Sequence, residues 1–253
     1  MAFTHVLLSR PRSESEELAG MLQPLGLEPV LLPAFDYLSL DAHSEQPACF
    51  DALEHAGPAD LVLFTSPRAV RYGLGQVSPA CLSRARVAAI GPATASALNE
   101  AGVRVDVRPA SGFTSEALLE TLSAGPGLAR NPPQALILAA PGGRKKLLKG
   151  LKKLGWNSQL LHVYRSEPAT LDKQQLKRLA GAASLLTVWT SANAMKSLSQ
   201  RLPPATWFKV CQGEWVVISK RLQRLARAYG PGRIHLAAGP DNASIVSAVR
   251  ALC

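Results

Sequence analysis

No stretch of this chain approaches the roughly 18 apolar residues needed to span a bilayer. Met1–Arg12 holds only Val6-Leu7-Leu8 as an apolar core. Both features argue against a membrane span or a signal peptide, and the expected location is the cytoplasm. Cysteine is scarce: Cys49, Cys81, Cys211 and Cys253 stand far apart, with no metal-ligand spacing. The five histidines, His5, His43, His55, His162 and His235, form no HExxH-type pair. No metal is expected. Aromatic residues make up only 6% of the chain and do not interleave with its basic runs. A stacking platform for single-stranded nucleic acid would need that interleaving. Neither GxxxxGK[ST] nor GxGxxG occurs, so both phosphate-loop signatures are missing.

Acid is the scarcer charge: 18 Asp and Glu face 28 Lys and Arg, for a net charge of +10. That balance favours an anionic partner. The densest basic run, Arg144–Lys153, carries Leu147, Leu148, Leu151 and Leu154 at helical spacing. Its lysines therefore read as the solvated face of an amphipathic helix.

What is present is an alternation of strand and helix. Leu61–Gly73, LVLFTSPRAVRYG, reads as a buried strand, a stop at Thr65-Ser66-Pro67, and a helix with Ala69 and Val70 facing inward. Thr or Ser caps such a helix, and Pro67 suits its first turn. Free N–H groups there point out of the C-terminal edge of a sheet, where open α/β sheets bind ligands and helix N-termini favour anions. Ahead of it, Val6-Leu7-Leu8 is a strand and Ser13–Leu25 a helix, capped by Ser13 or Ser15 and ended by Gly26. Pro29–Phe35 is a second strand. Downstream, Val87–Ile90 is a strand, Ala93–Ala101 a helix, Val103–Val107 a strand and Glu116–Leu122 a helix capped by Thr114 or Ser115. Ala124–Pro133 is a loop by composition.

The pattern then repeats. Leu136-Ile137-Leu138 matches the first strand, Arg144–Leu154 the first helix, and Gln159–Tyr164 the strand ending at Phe35. Leu186–Leu198, LTVWTSANAMKSL, repeats the corner, with Thr190 falling on Thr65 at an offset of 125. Val216–Gly230 matches Ala88–Gly102 at an offset of 128. Ile245, Val246 and Val249 match Leu118, Leu119 and Leu122 at an offset of 127. These matches in one order indicate an internal duplication. The fold class is α/β: two similar parallel-sheet, flavodoxin-like domains with helices on both faces and a cleft between them.

Three corners face that expected cleft: Thr65-Ser66-Pro67-Arg68, Gly91-Pro92-Ala93-Thr94 and Thr190-Ser191-Ala192-Asn193. Each alone is more often ordinary helix capping. Together they offer hydroxyl and N–H donors to a ligand with several anionic groups. Arg10, just past the first strand, adds a charge at that level or is a plain surface residue. Gly142-Gly143-Arg144 is a tight turn or an N–H nest aimed at a carboxylate. Tyr164, at a strand end, is an interfacial packing residue or a proton donor.

FTSPRAV after a buried strand, AIGPATASAL, an LSRP start, GFTSEALLETL and LLHVYRSEP, in that order, resemble uroporphyrinogen-III synthases. The resemblance covers nearly the whole chain. It implies two α/β domains joined by a two-stranded connector, residues 1–36 with 170–253 and residues 37–169. It implies closure of the linear tetrapyrrole hydroxymethylbilane with loss of water and inversion of the last ring, through an azafulvene and a spiro intermediate. No metal or cofactor is needed. Tyr164, helped by a bound water, would donate the proton to the departing hydroxyl. Thr65, Ser66, Thr94, Thr190 and Ser191 would hold carboxylates, mostly through backbone N–H groups, with Arg10, Arg68, Gly91, Gly142 and Asn193 among the binding residues.

One corner departs from the family pattern. Ile218-Ser219-Lys220-Arg221-Leu222 lacks the Gly, Pro and Thr expected there. Ser219 replaces the lost donor, or Lys220 or Arg221 brings charge instead. The expected partners are hydroxymethylbilane and, transiently, hydroxymethylbilane synthase, with no nucleic acid, no membrane and a monomeric chain. The alternative is a non-catalytic two-domain α/β binder of a polyanionic small molecule.

Overall fold

The computed structural model describes residues 3–58, 60–123, 132–142 and 145–253. Its strands are β1 (His5–Leu8), β2 (Glu28–Leu31), β3 (Phe35–Ser39), β4 (Leu61–Phe64), β5 (Arg86–Ala89), β6 (Gln134–Ala139), β7 (Asn157–His162), β8 (Tyr164–Pro168), β9 (Leu185–Trp189), β10 (Glu214–Val217) and β11 (Arg233–Leu236). The chain divides into two compact units, Met1–Asp36 with Glu167–Cys253, and Tyr37–Ser166. The chain leaves one unit within β3 and returns within β8, and these two strands pair as a sheet of their own.

The first unit holds a five-stranded sheet in the order β11-β10-β9-β1-β2, parallel at every pairing. Numbered along the chain, this is the 2-1-3-4-5 order of flavodoxin-like sheets, whose strand order reverses between β1 and β9. The second unit holds a parallel sheet β5-β4-β6-β7, extended past β5 by a single parallel bridge between Ala88 and Val107. The spatial order of matched strands is the same in both units, but the chain visits them differently. Each unit takes its β-α-β start from one repeat and its corner strands from the other: β1 and β2 join β9, β10 and β11, while β6 and β7 join β4 and β5.

Burial on both faces explains the near-continuous apolar strands. In β4, Leu61 and Leu63 enter one core with Ile137 and Leu147, while Val62 and Phe64 enter the opposite core with Leu136 and Leu138. In the first unit, Leu7, Trp189 and Val217 pack on one side of the sheet, and Val6, Leu8, Val188 and Val216 on the other. The period of two along each strand sends neighbouring side chains to opposite helix layers.

Several local expectations are corrected. The first helix is Arg12–Leu22 and its N-cap is Pro11, with no side-chain cap. Ser15 instead donates its hydroxyl to the Arg10 carbonyl at 2.9 Å. Val103–Val107 is no full strand: only its end reaches the sheet edge, where the Asp106 N–H donates to the Val87 carbonyl at 2.8 Å and Val107 bridges Ala88. Pro29–Phe35 and Gln159–Tyr164 each straddle two strands. β2 ends at Leu31 before β3 begins at Phe35, and β7 ends at His162 before β8 begins at Tyr164. Of Thr114 and Ser115, Thr114 is the cap, accepting from the Ala117 N–H at 3.2 Å. The basic helix is described over Lys145–Lys153. Arg144 and most of the Ala124–Pro133 loop lie outside the described residues.

Candidate active site

The corner after β4 is built by its own sequence. Ser66 sits in extended conformation as the N-cap of the helix Pro67–Gly73, and its Oγ accepts from the Ala69 N–H at 3.1 Å. Pro67 occupies the first turn, where no N–H is missed. Ala69 and Val70 are buried beneath it. Thr65 is also buried, and its hydroxyl donates to the Leu138 carbonyl at 2.8 Å while its N–H reaches the same oxygen at 3.3 Å. Thr65 therefore ties β4 to β6, and Ser66 is the hydroxyl left at the mouth of the corner.

Tyr164 opens β8 and is half-buried, with its hydroxyl 3.4 Å from Ser66 Oγ. Two tyrosines that the sequence reading passed over surround it. Tyr72, from the helix Pro67–Gly73, stacks on Tyr164 with ring centroids 5.4 Å apart and planes at 26°. Tyr37, from β3, meets Tyr164 at 5.9 Å and 59°. Arg68 holds its guanidinium carbon 4.3 Å from the Tyr37 ring centroid. Spacing gave no signal for Tyr72: it lies six residues beyond the Ser66 cap, about one and two-thirds turns of helix, which leaves it roughly 120° round from the cap.

The corner after β5 uses glycine for a close approach. Gly91 is the N-cap of Pro92–Glu100, and a Cβ there would lie 3.3 Å from Phe113 Cβ. Phe113 is half exposed, so an apolar ring stands at this strand end with little cover. Thr94 is buried in the first turn of that helix. Gly142 follows β6 with a left-handed φ of 80°. Gly143 and Arg144 lie outside the described residues.

In the first unit, Thr190, Ser191, Asn193, Ser219 and Arg221 line one pocket of about 260 Å³, with Leu222 and Leu225 as its apolar wall. Ser191 Oγ accepts from the Ala194 N–H at 3.4 Å, capping the helix Ala192–Arg201. Ser219 Oγ accepts from the Leu222 N–H at 3.2 Å, so it takes up the capping role that the missing Gly-Pro corner would have had. Arg221, not Lys220, brings its charge to the pocket. Arg10 donates to Asn242 Oδ1 at 2.7 Å and to the Pro240 carbonyl at 2.6 Å, which fastens the turn before the last helix. Asp241 caps that helix, and its carboxyl is held below the usual range, chiefly by the Ser244 N–H, then by the Ser244 hydroxyl, with a smaller pull from Arg10.

None of the four thiols is an activated nucleophile. Burial raises Cys49, Cys211 and Cys253, and pushes Cys81 up to about 11. Among the described residues, no three His, Cys, Asp or Glu side chains gather as a metal site. No helix among them is long and apolar enough to cross a membrane. The chemistry these corners offer is hydrogen bonding, positive charge and one phenol beside a hydroxyl.

Comparison with known proteins places the whole chain in one family. The family model described as "Uroporphyrinogen-III synthase HemD" matches residues 16–247. The uroporphyrinogen-III synthase of Escherichia coli (strain K12) is 27% identical over 252 residues, covering 97% of this chain and 99% of that one. A crystal structure of a mutant uroporphyrinogen III synthase from the extremely thermophilic bacterium Thermus thermophilus has a TM-score of 0.61 at 21% identity, covering 98% of each chain. The structure of uroporphyrinogen-III synthetase from Helicobacter pylori 26695 has a TM-score of 0.62 at 14% identity, covering 100% of each. The two structures are similar in fold.

Proposed function

The chain belongs to the uroporphyrinogen-III synthase family and closes hydroxymethylbilane into a macrocycle in tetrapyrrole synthesis; we propose that Tyr164 is the acid that starts the closure. The observation that carries this is the Tyr164 hydroxyl, 3.4 Å from Ser66 Oγ at the mouth of a capped helix. A phenol is protonated at neutral pH and can donate to a departing hydroxyl within hydrogen-bond reach or through one water. Loss of that hydroxyl as water leaves an electrophilic azafulvene on the first ring. The substituted carbon of the last ring attacks it, giving a spiro intermediate. The spiro centre fragments, the last ring recloses in inverted orientation, and a proton is lost to restore the pyrrole.

Much of the enzyme's contribution is orientation. The unaided reaction closes through the wrong carbon, so holding the chain in one pose selects the product. The pocket of about 260 Å³ in the first unit is too small for a whole tetrapyrrole but fits an acidic arm. There the N-terminus of Ala192–Arg201 and the Arg221 guanidinium favour a carboxylate. In the second unit, the N–H groups behind Ser66 and Gly91 serve other carboxylates, and Arg68 adds a charge. Thr65 acts through its bond to Leu138 rather than by touching substrate. In this reading the chain works as a monomer in the cytoplasm, and hydroxymethylbilane synthase is a transient partner that supplies substrate.

Tyr164→Phe tests the acid role. General-acid assistance contributes about 10²–10⁴ in rate, so kcat falls by at least about a hundredfold while the Tm stays at the wild-type value. Turnover equal to wild type rejects the role.

A further inference from the structure

Tyr164 is gripped on its ring as well as met at its hydroxyl. Tyr72 covers the ring in a near-parallel stack at 5.4 Å. Tyr72 also donates its hydroxyl to the Tyr37 carbonyl at 3.0 Å, which ties the helix Pro67–Gly73 to β3. Tyr37 in turn meets the Tyr164 ring and carries Arg68 above its own face at 4.3 Å, inside the range of cation–π attraction. The three rings come from three elements, β3, the helix and β8. One short helix thus reaches both ends of the phenol, with Ser66 at the hydroxyl and Tyr72 at the ring face.

Tyr72 and Tyr164 both pack half-buried against the same core. Without a neighbour on its face, a tyrosine at a strand end samples more than one staggered χ1 position. Each alternative would carry its hydroxyl several ångströms from the Ser66 corner, and small misplacements of a reacting group cost large factors in rate.

We propose that Tyr72 is a positioning residue for ring closure, holding the Tyr164 ring so that its hydroxyl stays at the Ser66 corner. This rests on the reading of Tyr164 as the proton donor. Tyr72 itself need not touch substrate. Its role predicts a loss in kcat that depends on the presence of the Tyr164 hydroxyl, which a purely structural role would not.

The test is steady-state turnover of hydroxymethylbilane by the full chain in two backgrounds. Tyr72→Leu removes the ring face and the hydrogen bond; Tyr72→Phe keeps the face. Tyr72→Leu is expected to lower kcat about tenfold or more with KM within about threefold, and Tyr72→Phe to restore kcat to within about threefold of wild type. Added to Tyr164→Phe, Tyr72→Leu is expected to cost less than about twofold further. An equal loss in both backgrounds, or no loss in the wild-type background, overturns the proposal. Tyr164→Phe by itself reports on the donor role, so failure of that reading is seen separately. Should Tyr72→Leu not fold, Tyr72→Met takes its place under the same criteria.

Discussion

Thr65 and Thr190 occupy the same position in the duplicated pattern, and the structure uses them differently. Thr65 is buried and bonds β4 to β6 through Leu138. Thr190 is half-buried and lines a pocket with Ser191, Ser219 and Arg221. Next to Thr65, Ser66 meets the hydroxyl of Tyr164, whose ring contacts those of Tyr37 and Tyr72. Around Thr190 the neighbouring groups are hydroxyls, an amide and a guanidinium. A repeated strand-and-corner unit therefore supplies a shared frame, and the side chains that surround it divide the work. One corner sets a phenol beside a hydroxyl; the other is a recess lined by hydrogen-bonding groups and a guanidinium.

The strands below the corners differ too, and those differences can be tested. Gly213 precedes β10 where Ala85 precedes β5, at an offset of 128. Ala85 is wholly buried without difficulty, but a Cβ on Gly213 would lie 2.5 Å from the Leu185 carbonyl oxygen. Gly213→Ala should destabilise the first unit by about 1–3 kcal/mol, read as a lowered midpoint in urea unfolding. An unchanged midpoint would mean that the two sheets tolerate the same packing.

Next in size is the pair of corner threonines. Thr65→Val leaves the Leu138 carbonyl with only its weaker N–H partner, and stability should fall by about 1–2 kcal/mol. Thr190→Val should leave the Tm nearly unchanged and raise KM instead. Similar stability losses in both variants would erase the contrast between the corners.

Smaller and of opposite sign is Thr187→Val. Thr187 is wholly buried in β9, and among the described residues its hydroxyl has no hydrogen-bond partner. Its counterpart in β4 is Val62, at an offset of 125. The substitution makes β9 resemble β4 and should stabilise by about 1 kcal/mol, raising the Tm by about 2–4 °C. A lower Tm would show that the hydroxyl is satisfied in solution.

The smallest effect is electrostatic. The Asp241 carboxyl is held below its ordinary value of 3.8 by its bonds to Ser244. A depressed acid stabilises the fold above its unfolded-state pKa and loses that contribution as the pH falls through the folded-state value. Asp241→Asn should therefore lower the Tm at neutral pH, and the gap from wild type should narrow as the solution is acidified below 3.8. A gap independent of pH would place the effect elsewhere.

Much of this was written plainly in the sequence. The apolar runs Leu61–Phe64 and Leu185–Trp189, the Ser66, Ser191 and Ser219 caps and the left-handed Gly26 and Gly102 all follow from local chemistry, and the structure places them so. Parallel sheets followed from the alternation of strand and helix. What stayed hidden depends on contacts far apart in the chain. Tyr37 and Tyr164 are brought together by the pairing of β3 with β8, and no spacing rule joins residues so distant. Thr65 looked like a donor for ligands because it stands at a strand-end corner, yet its bond partner Leu138 comes from the other repeat. Val103–Val107 had the apolar pattern of a strand, but only its end, Asp106 and Val107, is in reach of β5. Which repeat's strands share a sheet was likewise decided by long-range pairing.

The most direct test of the central claim is to mix the purified chain with freshly made hydroxymethylbilane and separate the porphyrinogen isomers. The expected product is the type III isomer, with the last ring inverted, formed faster than spontaneous closure. Type I isomer alone, at the spontaneous rate, would contradict it.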